Sequence, residues 1–376
     1  MNIAVDARCF TKDGNDESAN FLFKIFTEIT ALHKEHTFIF IFDKPFPPSF
    51  IFSENVIPVL KAPIANSTAS LYIWYNIKIP LLLKKYKADV FIGADGFCSL
   101  TTKVPQCLVL NDLGFINFPL FTDRSRLLFS KKFTRRFIKK AKVIITGSEY
   151  LKAEIINRYN STPDKIQVIY PGSDENAAAL SIDERESIKV KYADGKEYFV
   201  YAGPIDPGKN LINLLKAFSA FKKRQKSSMR LLIVSCQAQQ YEELITGLQL
   251  FRFKDDVKLL ALLPAEEVTQ IIASSYALIY VPFVENTTTV LLTAMKIKVP
   301  IITSSKGAMP EICGEAALYA GPENFKEIAI KIMGLFKDEN LRKKLIEEGK
   351  EQEQKFSVEK AMELFWRTIE KTASAI

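Results

Sequence analysis

Short runs rich in Val, Ile and Phe recur along the 376-residue chain, each closed by a polar or glycine-bearing turn and separated from the next by a longer amphipathic stretch. This alternation predicts parallel strands joined by helices, because a strand buried on both faces reads as an unbroken apolar run while a crossover helix repeats every 3.6 residues. The first series of strands is expected at 2–6, 37–43, 89–93, 107–111, 142–146 and 167–170. A polar stretch at 173–195 then interrupts the rhythm and is expected to be an interdomain linker holding a short helix. Strands resume at 198–202, 230–234, 258–262, 277–281, 301–303 and 317–319, with a helix at 211–224. The last fifty residues are helical by pattern at 326–336, 339–355 and 357–371. The fold class is therefore α/β with two Rossmann-like domains, 1–172 and 196–356, and the ligand is expected in the cleft where strand C-termini and helix N-termini converge.

Composition narrows the class. With 48% hydrophobic and 25% charged residues the chain is that of an ordinary globular protein, long enough for two cores. Lys plus Arg exceed Asp plus Glu by 51 to 43, a formal +8 that suits an anionic ligand or lipid surface without pointing to nucleic acid. Cys9, Cys98, Cys107, Cys236 and Cys313 are odd in number, widely spaced and lack a C-x-x-C pair, so they are expected to be reduced thiols of a cytoplasmic protein. The N-terminus has no secretion-signal pattern, and no apolar run reaches the ~18–20 residues that span a bilayer. Any membrane contact is expected to be peripheral.

Only His33 and His36 are present, in a polar turn away from any strand end, and the chain has no Asp-x-Asp pair, so no metal site is expected. A Ser-His-Asp triad is equally unsupported, with no Gly-x-Ser-x-Gly elbow. Two strand ends carry chemistry instead. After 277–281 comes Glu285-Asn286-Thr287-Thr288-Thr289, leading into an apolar helix. Free amides there suit a phosphate and Glu285 suits sugar hydroxyls; alternatively the threonines simply cap the helix. After 198–202 comes Gly203-Pro204-Ile205-Asp206-Pro207-Gly208-Lys209-Asn210, where Lys209 is either a diphosphate-neutralising cation or a solvated loop lysine.

These segments resemble the C-terminal half of the family-4, or group 1, retaining glycosyltransferases of the GT-B fold. Residues 201–218 are similar to that family's Gly-x-x-x-x-x-Lys-Asn-Leu-x-x-Leu-Leu-x-Ala-Phe segment. Glu285 to Met295, Val299 to Ser304 and Ala308 to Leu318 resemble its donor-sugar motif and the stretch beyond. Asp6-Ala7-Arg8, Asn111-Asp112, Ser148-Glu149 and 165–172 follow in the family's order, so the likeness covers nearly the whole chain. It implies a metal-independent retaining transfer of a hexose from a nucleoside-diphosphate sugar, with no cofactor beyond that donor, to a glycan or lipid-linked acceptor. The donor would lie in the C-terminal domain and the acceptor in the N-terminal one, with the final helix 357–376 returning to the first domain. Glu285, Asn111 and Asp112 would serve the transfer. Gly203, Lys209, Asn286, Thr287, Thr288, Thr289 and Thr293 would hold the donor.

The family pattern is altered at the site. Thr293 stands where a second glutamate grips the ribose, 286–290 replaces a Gly-Phe-Gly-Leu-Pro run, Pro204 replaces an arginine and Asn111 a histidine. Glu17-Ser18-Ala19-Asn20-Phe21 replaces a Gly-x-Gly-Arg-Tyr acceptor loop. The competing class is a GT-B protein that binds without catalysing. Finally, 124–142 carries nine basic residues and no acid, with Phe129, Phe133, Phe137 and Ile138 at helical spacing. That segment is either an amphipathic helix for anionic lipid or a packed helix with a solvated basic side.

Overall fold

A computed structural model of the chain describes residues 1–11, 17–62, 64–117, 119, 122–173, 175–235, 248 and 251–374. It divides into two compact units, Met1–Pro171 with Val358–Ile376, and Gly172–Ser357. The whole stretch expected as a linker, 173–195, belongs to the second unit. Its helix, Ile182–Ala193, opens on a capping box in which Ser181 and Glu184 satisfy each other's backbone N–H groups.

The first unit is built on a seven-stranded parallel sheet of β1 (Asn2–Asp6), β2 (Thr37–Phe42), β3 (Val56–Leu60), β4 (Val90–Gly93), β5 (Gln106–Val109), β6 (Val143–Thr146) and β7 (Ile166–Val168), in the order β3-β2-β1-β4-β5-β6-β7. Successive side chains point to opposite faces, so Ile3 and Val5 enter one core while Ala4 enters the other. One core is closed by Leu22, Ile25, Phe26 and Ile29 of the Glu17–Leu32 helix and by Phe365, Trp366 and Ile369 of the Val358–Ala373 helix. Phe26 and Phe365 meet edge to face at 5.5 Å. The other core holds Trp74, Tyr75, Phe129, Phe133 and Phe137.

β3 was not expected. Its apolar run is broken by Pro58, which cannot donate to a ladder, and the strand sits at the sheet edge, where such a residue is tolerated.

The second unit has a six-stranded parallel sheet of β8 (Tyr198–Ala202), β9 (Arg230–Ser235), β10 (Val257–Ala261), β11 (Ala277–Tyr280), β12 (Ile301–Ser304) and β13 (Ala317–Ala320), in the order β10-β9-β8-β11-β12-β13. Each sheet reverses its strand order beside its first strand, between β1 and β4 and between β8 and β11. Loops leaving the strand C-termini diverge at such a reversal and leave a crevice for ligand. Cys9, Cys98, Cys107 and Cys313 are buried thiols outside any disulfide, and burial pushes the Cys107 thiol up to about 12. Cys236 lies outside the described residues.

Candidate functional site

Both loops at the β8–β11 reversal are stitched to each other. Gly203 closes β8 at φ +154°, and a Cβ there would lie 3.1 Å from Tyr201 Oη and 3.3 Å from Tyr280 Cε2, so only glycine turns here without displacing those rings. The rings themselves stack at 5.7 Å, and Tyr201 Oη donates to Pro204 O at 2.5 Å, folding the loop back on its strand. A 3-10 turn, Pro207–Lys209, follows. It ends at Asn210 in the left-handed region, whose Nδ2 donates to Val281 O at 3.0 Å and Pro322 O at 2.6 Å. Phe283 N donates to Gly208 O at 2.9 Å.

This stitching brings Lys209 and Glu285 into a direct ion pair although 76 residues separate them. Their side chains are 16% and 17% exposed, so the pair is largely withdrawn from water but keeps an open edge. Tyr280 Oη donates to the same carboxylate oxygen at 2.8 Å. Burial alone would depress the Lys209 ammonium; the Glu285 and Asp206 carboxylates outweigh it and hold Lys209 above the usual lysine range. Asp206 moves the other way, its carboxyl raised first by burial and also by Glu285, while Lys209 opposes the shift. Glu285 is fixed from behind as well. Ala308 N donates to its carbonyl at 2.9 Å, and Gly307, at φ +67°, lies so close that a Cβ would sit 2.4 Å from that oxygen.

The stretch from Asn286 to Thr289 leads into the Val290–Lys296 helix. Thr289 holds the N-cap position in αR geometry and makes no side-chain cap, while the Thr287 and Thr288 hydroxyls are buried without hydrogen-bond partners. Capping therefore does not account for the three threonines. Thr293 is buried on the same helix at 8% exposure, leaving little of it to meet a ligand.

Asn111 and Asp112 follow β5 in the first unit, apart in sequence and unit from Lys209 and Glu285. Asp112 is exposed and its Oδ1 accepts from Gly114 N at 2.5 Å, which fixes the start of a one-turn helix. The segment that replaces the family's acceptor loop is not a loop: the Glu17–Leu32 helix begins at Glu17. His33 and His36 are not simply solvated; both stack on Trp366, at 3.6 and 5.2 Å. With Glu35 they form a group whose ligand atoms lie within 4.8 Å of one another, a geometry open to a metal ion that the sequence reading did not anticipate. The group precedes β2, at the opposite sheet end from the strand C-termini.

Tyr280, Asp206 and Gly307 escaped the sequence reading. A lone glycine between a strand and a short helix was the available signal for Gly307.

A model described as "Glycosyl transferases group 1" matches residues 183–352, and one described as "Glycosyltransferase Family 4" matches 26–177. The chain is 23% identical over 279 residues to O-antigen chain mannosyltransferase B of Escherichia coli, covering 74% of this chain and 73% of that protein. Sucrose-phosphate synthase from Thermosynechococcus elongatus superposes with a TM-score of 0.80 at 17% identity over the full length of both chains. HepE of Anabaena, in complex with UDP and glucose, superposes at 0.76 with 16% identity, covering 98% of this chain and 99% of that one. Two parallel Rossmann-like sheets, the resemblance carried by the motifs and matches spanning both units agree, and the chain is a glycosyltransferase belonging to the group 1 family of the GT-B fold.

Proposed function

We propose that this transferase moves a hexose, with retention and without a metal, from a nucleoside-diphosphate sugar to a glycan or lipid-linked acceptor in cell-surface polysaccharide assembly. The observation that carries this is the Lys209–Glu285 pair at the sheet reversal of the second unit. Lys209 supplies the positive charge that a leaving diphosphate needs, and Glu285, held by Tyr280, accepts from sugar hydroxyls. The amides from Asn286 to Thr289, with the unpartnered Thr287 and Thr288 hydroxyls, extend the cradle toward the phosphates. Retention by same-face attack asks little of side chains beyond such a cradle and a fixed sugar. The curated relative named an O-antigen chain mannosyltransferase supports polysaccharide assembly as the setting. The acceptor is assigned to the first unit, with Asn111 and Asp112 at the end of β5.

Calorimetric titration with UDP, GDP and ADP sugars tests the proposal. At least one should give saturable heat, and Lys209→Ala should weaken it by about tenfold or more. Affinity unchanged in Lys209→Ala would remove the cradle.

Membrane contact is proposed through the Arg124–Lys140 helix. Its Phe129, Phe133, Phe137 and Ile138 are buried in the first unit's core, so the outward face is the basic one: Lys131, Lys132, Arg135, Arg136, Lys139 and Lys140 are all exposed. Contact would therefore be electrostatic. Among the described residues no helix is long and apolar enough to cross a membrane. Sedimentation with vesicles should show binding to anionic lipid that salt abolishes; equal partitioning onto neutral vesicles would end this part of the proposal.

A further inference from the structure

The first sheet carries charged groups at its own reversal. Arg8 follows β1, Asp43 follows β2 and Asp95 follows β4, all at strand C-termini. The Arg8 side chain is only 10% exposed, and its guanidinium lies 5.4 Å from the ring centres of both Trp74 and Tyr75. Its nearest carboxylates, Asp6 and Asp43, stand at 3.7 Å, beyond hydrogen-bonding distance. Arg8 Nε and Nη1 are buried without hydrogen-bond partners, and so is Nε1 of the fully buried Trp74. Buried donors are nearly always satisfied, so three of them gathered at a sheet reversal call for an oxygen-bearing ligand. Trp74 also opens a π-helix, Trp74–Lys78, a wide turn that recurs at functional sites.

The local charge says what kind of oxygen. Among the described residues three cations, Arg8, Arg126 and Lys78, whose Nζ lies 5.5 Å from the Trp74 ring centre, stand with three carboxylates, Asp6, Asp43 and Asp95. Arg126 is already committed, gripping both oxygens of Asp95 at 2.8 Å. Asp6 accepts from Tyr75 Oη at 2.5 Å, and burial, opposed by Arg8, raises its carboxyl. Among the described residues the charges balance, leaving no positive excess to draw a phosphate, while hydroxyl and ring oxygens would meet the buried donors without adding charge.

We propose that this cluster is a subsite for a neutral sugar of the acceptor, with Arg8 Nε and Nη1 and Trp74 Nε1 as its hydrogen-bond donors. The proposal rests on the assignment of the acceptor to the first unit and deepens it by naming the chemistry recognised.

Trp74 and Trp366 are the chain's two tryptophans, so fluorescence of the full chain carrying Trp366→Phe reports on Trp74. Titration with the methyl glycosides of mannose, glucose and galactose should give a saturable change for at least one. Glucose 6-phosphate and inorganic phosphate should bind no better. Adding Arg8→Gln should weaken glycoside binding at least tenfold while nucleotide-sugar binding, measured by calorimetry, stays unchanged. Arg8→Lys serves if the glutamine variant fails to fold, and the same loss is expected because lysine keeps the charge but not the two donors. No response to any neutral glycoside, tighter binding of the phosphates, or glycoside binding untouched by either variant would overturn the proposal. Loss of nucleotide-sugar binding in the parent protein would instead strike the donor assignment and leave this titration to stand by itself.

Discussion

Glu285→Ala should lower kcat by about 10²–10³-fold, the loss seen when a preorganised electrostatic contact is removed from a reacting centre. It should also destabilise the second unit by about 3 kcal/mol, because the Lys209 ammonium would be left without its closest partner in a site largely shielded from water. Glu285→Gln separates the two effects. An amide oxygen can still accept from Tyr280 and Lys209, so most of the stability should remain while turnover falls. Lys209 is held above the usual lysine range, so its stabilising charge is complete below the unfolded-state value and is lost only as pH rises through the raised one. In Glu285→Ala the main raising carboxylate is gone and burial depresses the ammonium instead, so the melting-temperature deficit of the variant should be fullest at about pH 6 and shrink toward about pH 9 as the unpaired lysine neutralises. Wild-type turnover in a correctly folded Glu285→Gln protein would falsify the role given to this carboxylate.

Gly307→Ala should do comparable damage without removing any charge. A methyl group there would lie 2.4 Å from the Glu285 carbonyl oxygen and 2.9 Å from its nitrogen, both backbone atoms that cannot rotate away. At φ +67° the alanine would also pay the left-handed backbone penalty, about 1 kcal/mol. Stability should drop by about 3 kcal/mol in total, and turnover should fall at least about tenfold as Glu285 shifts from Tyr280 and Lys209. Gly334 is the control. Nothing lies within 4 Å of a Cβ there and the position is helical, so Gly334→Ala should stabilise by about 0.5–1 kcal/mol. If the two variants melted and turned over alike, the close approach at Gly307 would have no functional weight.

The architecture was legible because the buried parallel strands are nearly uninterrupted apolar runs; β8, with all five residues buried, is the plainest. β3 was hidden by Pro58, and the helical character of Glu17–Leu32 by comparison with a family loop. At the site, Lys209 and Glu285 could be picked out one at a time from their strand ends. Their pairing could not, since it depends on the loop stitching by Asn210 and Phe283, contacts that leave no local sequence pattern. Tyr280 was invisible for a related reason: at the end of an apolar strand its ring reads as core, and only the hydroxyl geometry reveals what its tip does. The basic helix was half legible. Its aromatic stripe was found, but whether that stripe faced lipid or protein was decided by the packing of Phe129, Phe133 and Phe137.

The Val358–Ala373 helix closes a core begun by the first strands of the chain. During synthesis all of Gly172–Ser357 is therefore made before Phe365, Trp366 and Ile369, and the first unit waits with an apolar surface uncovered until that helix arrives. Chaperone demand should fall on the amino-terminal part of nascent chains, and a stop codon shortly after residue 357 should yield a protein whose second unit is sound and whose first is a protease substrate.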